Sequence, residues 1–181
     1  MNLDSLRDEC LVCTKCALCH TRTNVVFGTG SDVASVMFIG EAPGKNEDQA
    51  GEPFVGRAGQ LLDLYLTAVG MKRGDVFIAN IIKCRPPDNR DPLPSEQAAC
   101  IGYLREQIRL INPKLVVCLG RISAKQIISA DFQVTKEHGK VFVKDSVSYM
   151  GTFHPAALLR NPNYKPDALL DFKEIARLAS V

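Results

Sequence analysis

Long apolar runs are missing from this chain. Its apolar stretches end after about eight residues, far short of the roughly 20 that span a bilayer, and the amino terminus MNLDSLRDEC is charged where a secretory leader would be apolar. The reading is therefore of a soluble, cytoplasmic protein without a membrane partner. Repeats and low-complexity tracts are missing as well, so nothing divides the 181 residues, and with 46% apolar side chains they suffice for one domain, 1–181, with a full-sized core. Charge of one sign is scarce too. A net charge of +2 is too small to argue for nucleic acid from bulk electrostatics, although basic residues bunch in Lys83-Cys-Arg85-Pro-Pro-Asp-Asn-Arg90.

What is there begins with cysteine. Seven thiols, an odd number in a chain without a leader, speak against a disulfide framework and for metal ligation or redox chemistry. Cys10, Cys13, Cys16 and Cys19 recur every three residues, and Cys84 and Cys100 flank a proline-rich segment. A C-x-x-C pair offers two thiolates to a metal, and a closed tetrahedral site needs two more, for which Cys84 and Cys100 are the natural donors. A ferredoxin-like arrangement would instead take all four ligands from the run Cys10 to Cys19, which lacks the proline that follows the fourth cysteine of the bacterial pattern. Zinc and iron–sulfur both accept four thiolates, so spacing leaves the metal open. Cys118, inside the apolar run Leu115 to Leu119, reads as core.

Hydrophobic periodicity predicts alternating strands and helices. Val33–Gly40 and Asp75–Asn80 read as short buried strands around a helix, Arg57–Val69, that Gly70 stops. Ser95 can cap a helix that ends at Asn112-Pro113, and Lys114–Leu119 reads as the next strand. Gly120-Arg-Ile-Ser123 opens another helix. Val134–Met150 reads as a hairpin around Lys144-Asp145, Ser148–Phe153 as the last strand, His154–Asn161 as a loop and Lys165–Ala179 as the closing helix. Such alternation implies a mostly parallel sheet covered on both faces, with ligand-binding loops at the carboxyl ends of its strands.

That edge collects unlike chemistry. The polar, Gly/Pro-rich segment Gly40 to Gly59 follows the first strand and carries Glu41, Glu47, Asp48 and Phe54. Asn80 ends the second strand and His154 the last. Each residue alone has an ordinary explanation: Phe54 as core, Asn80 as a turn or cap, His154 as surface. Their common position at strand ends is what makes an acid, an aromatic plate, an amide and an imidazole into one candidate cleft.

The segments GEAPG-x-x-E-D, GEPFVGRAGQLL, NIIKCRPP-x-NRDP and FHPAALLRNP, with cysteine pairs before and between them, resemble the iron–sulfur uracil-DNA glycosylases of family 4 over nearly the whole chain. The resemblance implies a three-layer α/β/α fold with a central four-stranded parallel sheet, a [4Fe-4S] cluster, and monofunctional excision of uracil from DNA, the first step of base excision repair. It places the cluster ligands on Cys13, Cys16, Cys84 and Cys100 and leaves Cys10 and Cys19 over.

On that reading a uracil turned out of the DNA stack lies against Phe54, and the Asn80 amide donates to its O4 and accepts from N3–H. Cytosine presents the reverse pattern and would leave buried polar groups unpaired. Thymine differs only by its C5 methyl. Ala42-Pro43 stands where related families carry a tyrosine against it, and Glu47 is the candidate for crowding C5. His154, with the main-chain amides of Glu41 and Ala42, stabilises the departing uracil anion, and Glu41 orients water and stabilises the sugar cation. Leu158 and Leu159 wedge the base stack while Arg160 meets a phosphate. Lys83, Arg85 and Arg90 form a basic loop beside the cluster, and Ser123 with the amides after Gly120 is a further phosphate site. The partner is uracil-containing DNA and the protein a monomer associated with the nucleoid. No replication clamp or repair protein is readable as a partner. The rival functions are an iron–sulfur redox carrier or DNA-binding module without glycosylase activity, and a covalent uracil-trapping relative. The last would carry a basic, His-containing insertion after Gly59, which this chain lacks.

Overall fold

The chain enters its sheet through a two-residue strand, Thr29–Gly30 (β1). It continues through Val36–Gly40 (β2), Phe77–Asn80 (β3), Leu115–Leu119 (β4), Val141–Lys144 (β5) and Val147–Thr152 (β6). The helices are α1 (Leu3–Leu11), α2 (Lys45–Ala50), α3 (Arg57–Ala68), α4 (Pro94–Ile111), α5 (Arg121–Ile127), α6 (Val134–Glu137), α7 (Pro155–Arg160) and α8 (Lys165–Ala179). The computed structural model describes residues 1–180. Every residue of β2, β3 and β4 is buried, as expected for strands covered on both faces.

The strands order as β1-β3-β2-β4-β6-β5. The inner four are parallel, with Gly40 beside Asn80 and Ile39 beside Cys118. The four-stranded sheet implied by the sequence resemblance thus forms the centre of a six-stranded one, whose edges β1 and β5 are antiparallel. These edges follow from local chemistry. Gly28 and Gly30 lie at φ +133° and +127°, where a Cβ would strike the Phe77 ring or the Val76 carbonyl. Asp145 and Ser146 both take positive φ, which closes the β5–β6 hairpin tightly.

Alternation along each strand divides the core. Met37, Ile39, Phe77, Val116 and Cys118 pack with α1, α4 and α5, whereas Val36, Phe38, Ile78, Leu115 and Val117 pack with α3, α7 and α8. On the second face Phe172 of α8 stacks on Phe38 and Tyr65, at 5.7 and 4.9 Å between ring centres. This is the three-layer α/β/α arrangement.

Several boundaries differ from the pattern in the sequence. Val33 is 82% exposed and the strand starts at Val36, because a turn closed by the Ala34 N–H on the Ser31 carbonyl comes first. Ser95 does not cap α4. Pro94 opens that helix, and the Glu96 carboxylate accepts the Leu93 main-chain N–H at 2.8 Å. A short helix, α6, precedes the hairpin, and the supposed loop after β6 is helix α7, begun by Pro155 behind the capping residue His154.

Candidate active site

The order of the strands sets where a ligand can sit. From β2 the chain moves to β3 on one side and then crosses to β4 on the other, so the connections after β2 and β4 diverge and leave a crevice at their carboxyl ends. A cleft of about 720 Å³ opens there, lined by Glu41, Phe54, Asn80, Asp91, Arg121 and His154 among others.

Asn80 stands at the floor. Its Oδ1 is the buried side-chain acceptor without a hydrogen-bond partner among the described residues, an arrangement that costs about 1–3 kcal/mol unless a ligand completes it. Gly40 beside it makes the approach possible, since a Cβ there would lie 2.5 Å from Asn80 Oδ1 and 2.6 Å from the Phe54 ring.

Phe54 reaches the cleft from a non-glycine residue at φ 52°, which costs about 1–2 kcal/mol. The Glu47 carboxylate offsets that cost by accepting the main-chain N–H groups of Val55 and Gly56, each at 3.1 Å, and Arg73 donates to the Pro53 carbonyl. The loop then tucks onto α3 at Gly59, where a Cβ would fall 1.8 Å from the Phe54 carbonyl oxygen. Asp48 secures α2 from the other side by accepting from the N–H groups of Thr23 and Asn24. Glu47 and Asp48 are therefore built into the loop as its internal ties.

His154 follows β6 and caps α7. Its Nδ1 accepts the Ala156 N–H at 3.0 Å, so in the neutral ring the proton resides on Nε2. Burial first, and then the Arg160 guanidinium, pull its pKa down to about 4, with Glu47 opposing. The imidazole is thus neutral near pH 7 and donates from Nε2. The Phe54 ring lies alongside, 5.5 Å between centres, and Gly120 at φ +90° admits the His154 Cβ to within 2.8 Å of where its own would stand.

Glu41 is half-buried and also lines the cleft. Burial, then the nearby Asp91 carboxylate, holds its carboxyl above the usual range, while Arg121 and Arg160 pull it back. Arg121 also grips Asp91 at 3.1 Å. Neither Asp91 nor Arg121 stood out in the sequence. Arg121 had the available signal, a position directly after a strand end, and Asp91 had none because its approach depends on how the 86–92 segment folds over the cleft.

Three of the expected DNA contacts are not available to DNA. Lys83 is 1% exposed, and its ammonium is spent inside the protein on the Asn80 carbonyl and Gln107 Oε1. Ser123 is buried with its hydroxyl donating to the Leu119 carbonyl. Leu158 is 1% exposed and packs into the core with α3 and α8. Leu159 and Arg160 on the same helix are exposed. Arg85 is half-buried and donates to Asn89, and Arg90 forms a two-point pair with Glu96 at 2.9 and 2.7 Å, which holds the Glu96 carboxyl below its usual range.

On the α1 and α4 side, Cys10, Cys13, Cys16, Cys19, Cys84 and Cys100 line one cavity. N–H donors point at its sulfurs: Lys83 at Cys100 Sγ (3.3 Å), Lys15 at Cys13 Sγ (3.5 Å) and Arg22 Nη1 at Cys84 Sγ (3.3 Å). Such donors suit thiolates. Among the described residues no three His, Cys, Asp or Glu side chains are grouped so as to hold a single metal ion. Cys118 lies apart, buried in β4.

Residues 27–175 match the family model described as the uracil DNA glycosylase superfamily. The chain belongs to this superfamily. It is 43% identical to the type-4 uracil-DNA glycosylase of Archaeoglobus fulgidus, over 98% of this chain and 93% of that protein. Against the protein of the same name from Sulfurisphaera tokodaii the identity is 46%, over 98% and 85%. The Thermotoga maritima type-4 enzyme is 45% identical over 82% of this chain and 79% of its own length. Superfamily membership agrees with the site: the matched residues run from the start of the sheet into α8 and include every wall of the cleft.

Proposed function

We propose that the chain is a monofunctional uracil-DNA glycosylase, which turns uracil out of DNA into the cleft and hydrolyses its N-glycosidic bond, leaving an abasic site for base excision repair. The observation that carries this reading is the pairing of an unmatched buried acceptor, Asn80 Oδ1, with an imidazole whose free nitrogen donates. Uracil presents one N–H between two carbonyls. N3–H completes Asn80 Oδ1, the Asn80 amide nitrogen meets O4, and His154 Nε2–H meets O2. Cytosine offers an acceptor at N3 and would leave Oδ1 orphaned. Phe54 supplies a stacking face worth about 1–3 kcal/mol that is indifferent to the base.

Cleavage breaks the C1′–N1 bond with the electron pair leaving on the base. Charge gathers on O2, where a preorganised donor such as His154 is worth about 3–4 kcal/mol, and the main-chain amides of Glu41 and Ala42 assist. The sugar left behind is cationic at C1′. Glu41 stabilises it and accepts a proton from the water that adds there, so hydroxide joins C1′ and the proton returns to the uracil anion. Glu47 acts in this scheme by holding the Phe54 loop, with Pro43 and its own carboxylate beside C5. Leu159 is the wedge into the base stack, and Arg160, Arg121 and Arg85 meet phosphates.

A [4Fe-4S] cluster on Cys13, Cys16, Cys84 and Cys100 belongs to the same proposal, supported by the shared cavity and its N–H donors. When bound it supplies a rigid crosslink between the amino-terminal segment, the end of β3 and α4. The enzyme is read as a cytoplasmic monomer that meets DNA at the nucleoid; among the described residues no helix is long and apolar enough to cross a membrane.

Incubating the iron-loaded protein with an oligonucleotide bearing one uracil tests the function. Alkali-labile breaks at the uracil, and none at cytosine or thymine in the same position, are expected. Tight binding without breaks would overturn the enzyme in favour of a DNA-binding module.

A further inference from the structure

Lys83 is an unusual residue for a protein interior. It is among the largest fully buried side chains. A buried ammonium has to satisfy its donors. Lys83 Nζ does so on Gln107 Oε1 at 2.7 Å and on the Asn80 carbonyl at 3.0 Å, and Gln107 passes the chain on by donating to the Phe27 carbonyl at 2.8 Å. The Lys83 main chain is fixed as well. Its N–H donates to Cys100 Sγ at 3.3 Å and its carbonyl accepts the Val26 N–H at 2.8 Å.

We propose that Lys83 is a positioning residue for base recognition, linking the thiolate site to the Asn80 amide. Asn80 is the last residue of β3, and just beyond it Ile81 and Ile82 still donate their main-chain N–H groups to the Gly40 and Glu41 carbonyls at 3.0 and 3.2 Å. The Lys83 ammonium grips the other side of the same peptide, at the Asn80 carbonyl. Together with the Ile81 N–H bond to Gly40 it fixes the peptide plane after Asn80, and with it the direction in which the Asn80 side chain leaves the strand. Its own main chain is referred to Cys100 and thus to α4. The thiolate site therefore acts on base recognition through a buried tie that never touches the substrate. This inference rests on the glycosylase reading for the meaning of Asn80.

A double-mutant cycle tests it. K83M, N80A and the double variant are made as iron-loaded proteins, and single-turnover uracil excision is measured with affinity for abasic-site DNA, inhibition by free uracil and the visible absorbance of the cluster. If Lys83 acts through Asn80, K83M slows excision about tenfold or more and weakens inhibition by free uracil, while the same substitution in the N80A background changes the rate less than about twofold. Affinity for abasic DNA and cluster absorbance stay near wild type. An equal loss from K83M in both backgrounds overturns the proposal and leaves Lys83 as general support. Should K83M not accumulate as folded, iron-loaded protein, Q107L, which removes the second acceptor of the ammonium, carries the same cycle with the same two outcomes. Wild-type protein that releases no uracil would sink the glycosylase reading instead, a result distinct from additive losses in an active enzyme.

Discussion

His154 caps α7 through a ring nitrogen that would have to carry a proton if the imidazole were charged, so ionisation would break the cap as well as bury a cation. H154A and E41Q are each expected to slow single-turnover excision by roughly 100-fold or more with little change in DNA affinity, and unchanged rates in both would remove the mechanism. The same residue shapes stability. The native ring stays neutral down to about 4, whereas a free histidine titrates near 6.5, so as pH falls the unfolded chain binds the proton first. Stability therefore declines between about 6.5 and about 4. Denaturation midpoints at pH 7.5 and pH 5 should show up to about 2 kcal/mol more loss in the wild type than in H154Q. Arg160 belongs to another class of contact. R160A should weaken binding to all DNA sequences alike and reduce the salt dependence of log affinity by about one unit, measured by titration at several salt concentrations.

At the scale of elements, the stretch between β2 and α3 works as one device. α2, the Glu47 carboxylate and the left-handed turn at Phe54 hold an aromatic ring over the end of β2, and Gly40 is the point where ring and amide meet. G40A would push a methyl into both. Its expected signature is loss of excision and of uracil inhibition with the melting temperature lowered by only a few degrees, since the displaced groups lie at the open end of the sheet; wild-type excision by G40A would show that Asn80 and Phe54 need not approach so closely. Much of this device was readable beforehand. A polar, glycine-rich stretch behind a buried strand marks a ligand loop, and the residue types within it suggest their chemistry. The helix inside it was not readable, because Lys45–Ala50 has no apolar face to give a period and is held instead by Asp48 reaching residues 23 and 24.

For the molecule as a whole, the two ends of the sequence meet the sheet differently. α8 lies on one face through Phe172 and Ile175, whereas the amino-terminal segment reaches the core through Leu6, Cys10 and Leu18 and through the thiol cavity. If the thiol cavity holds the proposed cluster, removing it with an oxidant and chelator lowers the melting temperature and hastens proteolysis first within residues 12–23, with α8 protected. Equal protection of that segment in the stripped protein would show that the crosslink is dispensable.

Which segments become the inner strands and the closing hairpin, that they alternate with helices, and which strand ends carry acid, amide, ring and imidazole are legible from neighbours along the chain, since a buried parallel strand leaves a continuous apolar run and a ligand loop leaves a polar one. The two-residue edge strand β1 leaves no such run. Burial of individual side chains is a different matter. Lys83 looked like one of several exposed cations until Gln107 and the Asn80 carbonyl, brought together by β3 and α4, enclosed it; Leu158 and Leu159 looked like one wedge until α3 and α8 claimed the first. Asp91 entered the cleft by a fold of its loop over Glu41. Partners distant in sequence decided these positions, because whether a charge or a methyl group meets water depends on what the rest of the chain packs against it.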